Sequence, residues 1–161
     1  YRSRVDDRAA EIAMADVLAL ELGRIVMWAV WVDEVCADLA VEYQRAAGAV
    51  DRSRVMGESG NRLAVALRHA GAAAWADEYL ALYSRRNDVV HGLWSADANH
   101  RNVVRPIRGG AHAGAFTVSS WDAGWLVQLS SDLERFFGRA RAQLFALTGI
   151  ADQPEQGGPT V

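Results

Sequence analysis

Apolar residues recur at the two inward positions of a seven-residue repeat along the first third of the chain. They step alternately by four and three residues: Leu18, Leu22, Ile25, Ala29, Val32, Cys36, Leu39 and Tyr43. That spacing places them along one face of a helix, as in a helix bundle. The pattern predicts a long first helix from about Glu11 to Ala47, and residues 1–10 lead into it.

The middle of this predicted helix is apolar on every side. Met27, Trp28 and Trp31 lie off the main stripe, within the run from Ile25 to Val32. Two interpretations stay open: the helix is central to one core, or its second face is used by a homodimer. We favour the homodimer, because a small bundle rarely surrounds a helix completely.

Two shorter helices are predicted next, separated by glycine-containing breaks. Residues 48–60 are typical of a loop by their Gly, Ser and Asp content, and Ala70-Gly71-Ala72 marks a second break. Helices are therefore expected over 61–69 and 73–91. Their candidate core residues are Leu63, Val65 and Leu67 in the first, and Trp75, Tyr79, Leu82 or Tyr83, Val89 and Val90 in the second.

The helical pattern stops between Leu93 and Ser120. Residues 103–107 and 115–119 are β-prone and flank a Gly-rich segment, which predicts a short β-hairpin, with an extended or disordered loop as the alternative. Ser119 or Ser120 can cap a last helix over about 121–147. Its apolar stripe is Leu126, Leu129, Leu133, Phe136, Ala140, Leu144 and Leu147.

The predicted fold is all-α: an antiparallel bundle of four to five helices with a short β-hairpin or extended loop before the last one. Residues 1–150 are expected to form a single domain, and the Pro- and Gly-containing residues 151–161 a flexible tail. A hydrophobic fraction of 51% supports a real core. The longest apolar run, Ile25 to Val32, is too short to span a membrane.

Composition narrows the setting further. The single cysteine, Cys36, excludes an internal disulfide and a Cys-rich zinc site, so a cytoplasmic protein is expected. All 17 basic residues are Arg, which fits a GC-rich bacterial genome. Nine of them lie between Arg52 and Arg108, so a mildly acidic chain can still hold a basic groove.

A cation, an amide and an imidazole lie close together at the end of the predicted third helix, in Arg86, Asn87 and His91. Asn87 and His91 are four residues apart and share a helix face, while Arg86 lies about 100° round from Asn87. Such a set can cut RNA without metal: His91 transfers the proton, Arg86 binds the phosphate and Asn87 orients the imidazole.

The segment Arg86-Asn87-x-x-x-His91 resembles the signature of the HEPN family (higher eukaryotes and prokaryotes nucleotide-binding domains), in which an Arg is followed by a polar residue and then by a His. Arg85 offers an alternative, poorer match for the Arg. The resemblance implies a metal-independent endoribonuclease, in which the 2′-hydroxyl attacks the adjacent phosphate and leaves a 2′,3′-cyclic phosphate. It also implies a homodimer whose two motifs line one cleft, in a toxin-antitoxin or phage-defence setting.

Other interpretations of the motif remain open. A His at a helix end is commonly a cap that favours the helix dipole, and the domain can be a non-catalytic helical module that binds a nucleotide, RNA or a partner protein. In a toxin branch of the family, an antitoxin modifies a Tyr two residues after the His. Leu93 stands at that position here, which puts in doubt this mode of control by an antitoxin protein.

Further residues are candidates for binding RNA rather than for catalysis. Arg101, Arg105 and Arg108, with His100 and His112 nearby, can form a phosphate clamp, although such a run is also typical of a solvated loop. Trp94 can stack a base, and Arg85 adds charge beside the motif. His100 and His112 lack partners at ligand spacing, so neither a metal nor a cofactor is expected.

Overall fold

The computed structural model describes residues 2–48, 55–91, 93–96, 101–106, 116–121 and 123–149. Side chains are described for residues 16, 18–48, 55–91 and 124–149. Within these ranges the chain forms four helices and three strands. They are, in chain order, α1 (Arg2–Ala46), α2 (Gly60–His69), α3 (Ala73–Val90), β1 (Leu93–Ala96), β2 (Arg101–Pro106), β3 (Phe116–Trp121) and α4 (Ala123–Thr148).

The long helix α1 buries the stripe that its seven-residue repeat predicts. Of the predicted members, Ile25, Ala29, Val32, Cys36 and Leu39 are buried, and Leu18, Leu22 and Tyr43 are partly covered. Burying each large aliphatic side chain stabilises the fold by about 1.5–3 kcal/mol. The prediction of a largely helical fold is confirmed by the four helices.

Part of the second apolar surface of α1 is exposed in the described part of the chain. Met27 and Trp31 are each 41% exposed, and Val26 and Val30 are exposed beside them. Trp28 is half-buried.

The break between α2 and α3 is a Schellman motif. The N–H of Ala72 donates to the Leu67 carbonyl at 2.9 Å, and the N–H of Gly71 donates to the Arg68 carbonyl at 3.0 Å. Gly71 has φ +87°, the left-handed conformation that a residue without Cβ adopts at little cost. The predicted break at Ala70-Gly71-Ala72 is therefore located correctly.

The three strands form one antiparallel sheet in the order β1-β2-β3. Leu93 pairs with Val104 at one end of β1, and Ala96 pairs with Arg101 at the other. Pro106 ends the central strand β2 opposite Phe116, two residues past Val104, which pairs with Leu93 at the start of β1. Its missing N–H therefore falls where only β3 is alongside.

Several details differ from the sequence prediction. Helix α1 begins at Arg2, whereas the apolar repeat predicted a start near Glu11. Ser119 and Ser120 belong to β3, so neither caps α4, which begins at Ala123. The strand β1 was not predicted. Val65 and Val90 are exposed rather than buried, because each lies about 100° round its helix from a residue that does reach the core.

The chain divides into two compact units. One contains Tyr1–Val30 and Ala81–Glu134, and the other contains Trp31–Leu80 and Arg135–Val161. Helices α1, α3 and α4 contribute residues to both units, so the division follows no simple chain boundary. The single domain over 1–150 stays a prediction, and residues 151–161 lie outside the described residues. No helix in the described part of the chain combines the length and the apolar run that crossing a bilayer requires.

Candidate functional site

The predicted motif lies at the carboxyl end of α3. Asn87 is in its last turn, Arg86 directly precedes that turn, and His91 is the first residue after the helix. The His91 N–H donates to the Asn87 carbonyl at 3.0 Å, so the helical bonding pattern extends through His91. The backbone therefore places His91 one turn after Asn87 on the same side, as the four-residue spacing predicts.

Arg86 and Asn87 are joined directly by their side chains. Arg86 Nη1 donates to Asn87 Oδ1 at 2.9 Å, and both side chains are half-buried. The two side chains therefore meet, although neighbouring residues lie about 100° apart around a helix. Because Oδ1 accepts from the guanidinium, the Nδ2 group of Asn87, a donor, is directed away from Arg86.

An aromatic ring also holds the Arg86 guanidinium. Its Cζ lies 5.2 Å from the centre of the Tyr83 ring, one turn earlier on α3. A cation over an aromatic face at this distance gains about 0.5–1 kcal/mol at an accessible site. Tyr83 and Asn87 together therefore restrict the position of this cation before any ligand arrives.

The His91 imidazole is exposed. Among the side chains that the structure describes, none is a hydrogen-bond or ion-pair partner of this ring. It is accessible to a ligand from solvent.

Arg85, the neighbouring cation, is anchored within its own unit. Its Nη1 lies 2.7 Å from Asp132 Oδ2, and its Cζ lies 5.3 Å from the centre of the Trp125 ring. Gln128 donates to the other carboxylate oxygen of Asp132 at 2.8 Å. These contacts tie α3 to α4 and occupy the guanidinium, so an RNA phosphate would have to compete with a carboxylate for Arg85.

The remaining candidates lie in or near the sheet. Trp94 is on β1, and Arg101 and Arg105 are on β2. Arg108, with His100 and His112, lies outside the described residues. The structure thus brings Arg86 and Asn87 into contact, with His91 one turn on, whereas Arg101 and Arg105 belong to β2.

One charged group in the same unit was missed by the sequence. Glu21 of α1 is buried, and its Oε1 accepts from Arg24 Nη1 at 2.7 Å, whereas Oε2 is buried without a hydrogen-bond partner among the described residues. A buried carboxylate oxygen without a donor is uncommon in folded proteins. Nothing in the sequence marks Glu21, because it adjoins the apolar stripe and its spacing to Arg24 is typical of a surface ion pair.

Among the residues whose side chains the structure describes, no group of three His, Cys, Asp or Glu side chains is arranged to hold a metal ion.

Comparison with known proteins adds no relative: no family model, no curated protein and no solved structure matches this chain.

Proposed function

We propose that this protein is a metal-independent endoribonuclease of the HEPN type, in a helix-bundle domain, acting as a toxin or a phage-defence effector. The observation that carries the proposal is the Arg86–Asn87 hydrogen bond of 2.9 Å, with an exposed imidazole one turn further on. A positioned cation and an accessible proton-transfer group are the two requirements for cleaving RNA through its own 2′-hydroxyl.

Each residue has a distinct role in this proposal. Arg86 binds the scissile phosphate and stabilises the charge that builds on it in the transition state. His91 transfers the proton at the 2′-hydroxyl or at the leaving oxygen. Asn87 positions the guanidinium through Oδ1 and donates from Nδ2 to the phosphate or the imidazole.

The test is RNA cleavage in EDTA by the wild type, His91→Ala and His69→Ala. His69 is a matched control, because it is also exposed and also lies at the end of a helix. We expect the wild type and His69→Ala to cleave, and His91→Ala to lose cleavage with a nearly unchanged melting temperature. Cleavage that survives His91→Ala, or that requires Mg²⁺, would reject the mechanism.

We also propose that the active form is a homodimer. The exposed apolar side chains Val26, Met27, Val30 and Trp31 on α1 support it, since a surface of this kind favours association. Light scattering should give twice the chain mass for the wild type and the single mass for Met27→Glu combined with Val30→Glu. A wild-type monomer at micromolar concentration would contradict this part of the proposal.

A second function, a non-catalytic module that binds RNA, a nucleotide or a partner protein, is favoured by one specific observation. Arg85, beside the motif, already has structural contacts with Asp132 and Trp125, so arginines of this segment can serve the fold rather than catalysis. A protein that binds RNA but never yields 2′,3′-cyclic phosphate ends would support this alternative. Control by an antitoxin protein is a further proposal, although Leu93 replaces the Tyr that one known mode of control requires.

A further inference from the structure

The strand register places two tryptophans and two arginines on one face of the sheet. Residues directly opposite each other on paired strands share a face, and so do residues two apart along a strand. Trp94 pairs with Val103, and Arg101 pairs with Trp121. Since Arg101, Val103 and Arg105 alternate along β2, the Trp/Arg face consists of Trp94, Ala96, Arg101, Val103, Arg105, Thr117, Ser119 and Trp121.

The opposite face has a different composition. It consists of Leu93, Ser95, Asn102, Val104, Pro106, Phe116, Val118 and Ser120. Leu93, Val104 and Val118 form one apolar row across all three strands, with Pro106 and Phe116 next to it. An unbroken apolar row is typical of the side on which an antiparallel sheet packs. The Trp/Arg face combines its two arginines with polar and aromatic residues.

Charge on the Trp/Arg face has one sign. Arg101 and Arg105 both belong to the central strand, and none of the sixteen residues of β1, β2 and β3 is an Asp or a Glu. A sheet face with cations and without carboxylates is complementary to a polyanion.

The spacing of these residues suits a chain of nucleotides. Arg101 and Arg105 are four residues apart on one strand, which is about 13 Å along the sheet. Trp94 and Trp121 lie on the two outer strands, one on each side of this row and about 10 Å apart across the strands. Aromatic residues that flank a row of cations form the usual platform for unpaired bases and their phosphates.

We propose that the Trp/Arg face binds single-stranded RNA, with bases stacked on Trp94 and Trp121 and phosphates held by Arg101 and Arg105. The inference deepens the proposed ribonuclease function, on which its choice of RNA rests, by naming unpaired RNA as the substrate and adding Trp121 to the binding residues. The motif at the end of α3 cuts the RNA, and the sheet holds it.

The test is fluorescence anisotropy with a labelled 2′-O-methyl RNA 12-mer, which has no 2′-hydroxyl and therefore cannot be cleaved. We expect Trp121→Ala and Trp94→Ala each to weaken binding about tenfold, and Trp121→Phe to restore most of it. We expect Arg101→Gln to weaken binding and to reduce the slope of log K against log salt concentration by about one.

The control is Arg62→Gln on α2, which removes the same charge from a side chain that is 82% exposed. It should bind like the wild type. If Trp121→Ala does not fold, as judged by circular dichroism, Trp94→Ala and Arg105→Gln carry the test instead, and both should weaken binding. Binding that is unchanged in the Trp and Arg variants, or that Arg62→Gln weakens equally, overturns the proposal, as does equal affinity for a duplex of the same sequence.

The two proposals fail separately. If substitutions on the Trp/Arg face weaken binding but natural RNA is never cleaved, the nuclease proposal is wrong and the proposed binding face stands. Cleavage that depends on His91, combined with binding that is insensitive to all four sheet residues, would leave the nuclease and remove the binding face.

Discussion

The two halves of α3 use polar side chains in opposite ways. In the first half, Tyr79 is 1% exposed, donates to Asp33 Oδ1 at 2.6 Å and accepts from the Gly60 N–H at 2.7 Å. Near the carboxyl end, Arg86 and Asn87 are half-buried, and His91, the first residue after the helix, is exposed. The first set is satisfied within the protein, whereas the second reaches the surface.

The difference separates stability from chemistry on a single helix. Buried polar groups with partners on both sides stabilise one arrangement of the chain, and losing one partner leaves the other unsatisfied. Polar groups at the surface contribute little to stability but remain accessible to a ligand. Substitutions in the first half should therefore change unfolding, and substitutions near the carboxyl end should change activity.

The largest effect is expected from Arg86→Ala. It should reduce the rate of RNA cleavage by about 100-fold or more, because it removes the group that stabilises the transition-state charge. The free energy of unfolding should fall by only about 1 kcal/mol, from the lost contacts with Asn87 and Tyr83. Arg62→Ala is the matched control in both the cleavage assay and urea denaturation. A loss of stability large enough to explain the lost activity would erase the contrast between the two halves.

Next in size is the effect of Tyr79→Phe. The change keeps the ring but leaves Asp33 Oδ1 and the Gly60 N–H without this partner, so we expect unfolding to become easier by about 2 kcal/mol. Tyr43→Phe should cost much less, because the hydroxyl of Tyr43 accepts a long contact of 3.3 Å from Gln143 and has no other hydrogen bond among the described residues. Urea denaturation of both variants gives the comparison, and equal losses would show that Tyr79 has no special structural role.

A smaller effect concerns alkaline pH. Burial, followed by the hydrogen bond to Asp33 and the charge of Asp33, raises the pKa of Tyr79 well above its usual value. The unfolded chain therefore loses this proton first, at about pH 10. The stabilisation is present below that pH and declines above it, by up to about 1.4 kcal/mol per pH unit.

The chain contains no Lys, so few other groups titrate in this range. Burial likewise raises the pKa of the Cys36 thiol, and a Cys36→Ala background removes that contribution. In this background, denaturation curves between pH 9 and 11 should show a steeper loss of stability for Tyr79 than for Tyr79→Phe. Parallel curves would contradict the assignment.

The smallest effect is expected from Arg85→Gln. The Arg85 and Asp132 side chains are 33% and 21% exposed, so solvent screens the pair and its loss should cost about 0.5–1 kcal/mol. Arg85→Gln and Asp132→Asn, combined in a double-mutant cycle, should show most of this as coupling. If Arg85→Gln instead weakens RNA binding and leaves stability unchanged, Arg85 belongs with the surface groups.

Periodicity predicted the helices well because it reports burial directly. The buried positions Ile25, Val32 and Leu39 of α1 and Leu126 and Leu133 of α4 all follow from it. It could not rank adjacent apolar residues, so Val89 was placed correctly and Val90 was not. Strand β1 has four residues, and an alternating pattern of that length also occurs at the end of a helix. The sequence therefore did not reveal this strand.

Contacts between distant parts of the chain were beyond the sequence. Asp33 and Tyr79 are 46 residues apart, and Arg85 and Asp132 are 47 apart, so no spacing rule connects them. A contact between Arg86 and Asn87 could be expected from the sequence, because the two residues are adjacent. The sequence does not show, however, that the Arg86 side chain turns toward Asn87 and forms a hydrogen bond despite the angle of about 100° between the two positions.

The most direct measurement of the central claim is the chemistry of the RNA ends, determined by mass spectrometry after incubation with the purified protein in EDTA. If the motif at the carboxyl end of α3 performs metal-independent cleavage, the products carry 2′,3′-cyclic phosphate and 5′-hydroxyl ends, and His91→Ala yields none. Products with 3′-hydroxyl and 5′-phosphate ends, or intact RNA with the wild type, would contradict the claim.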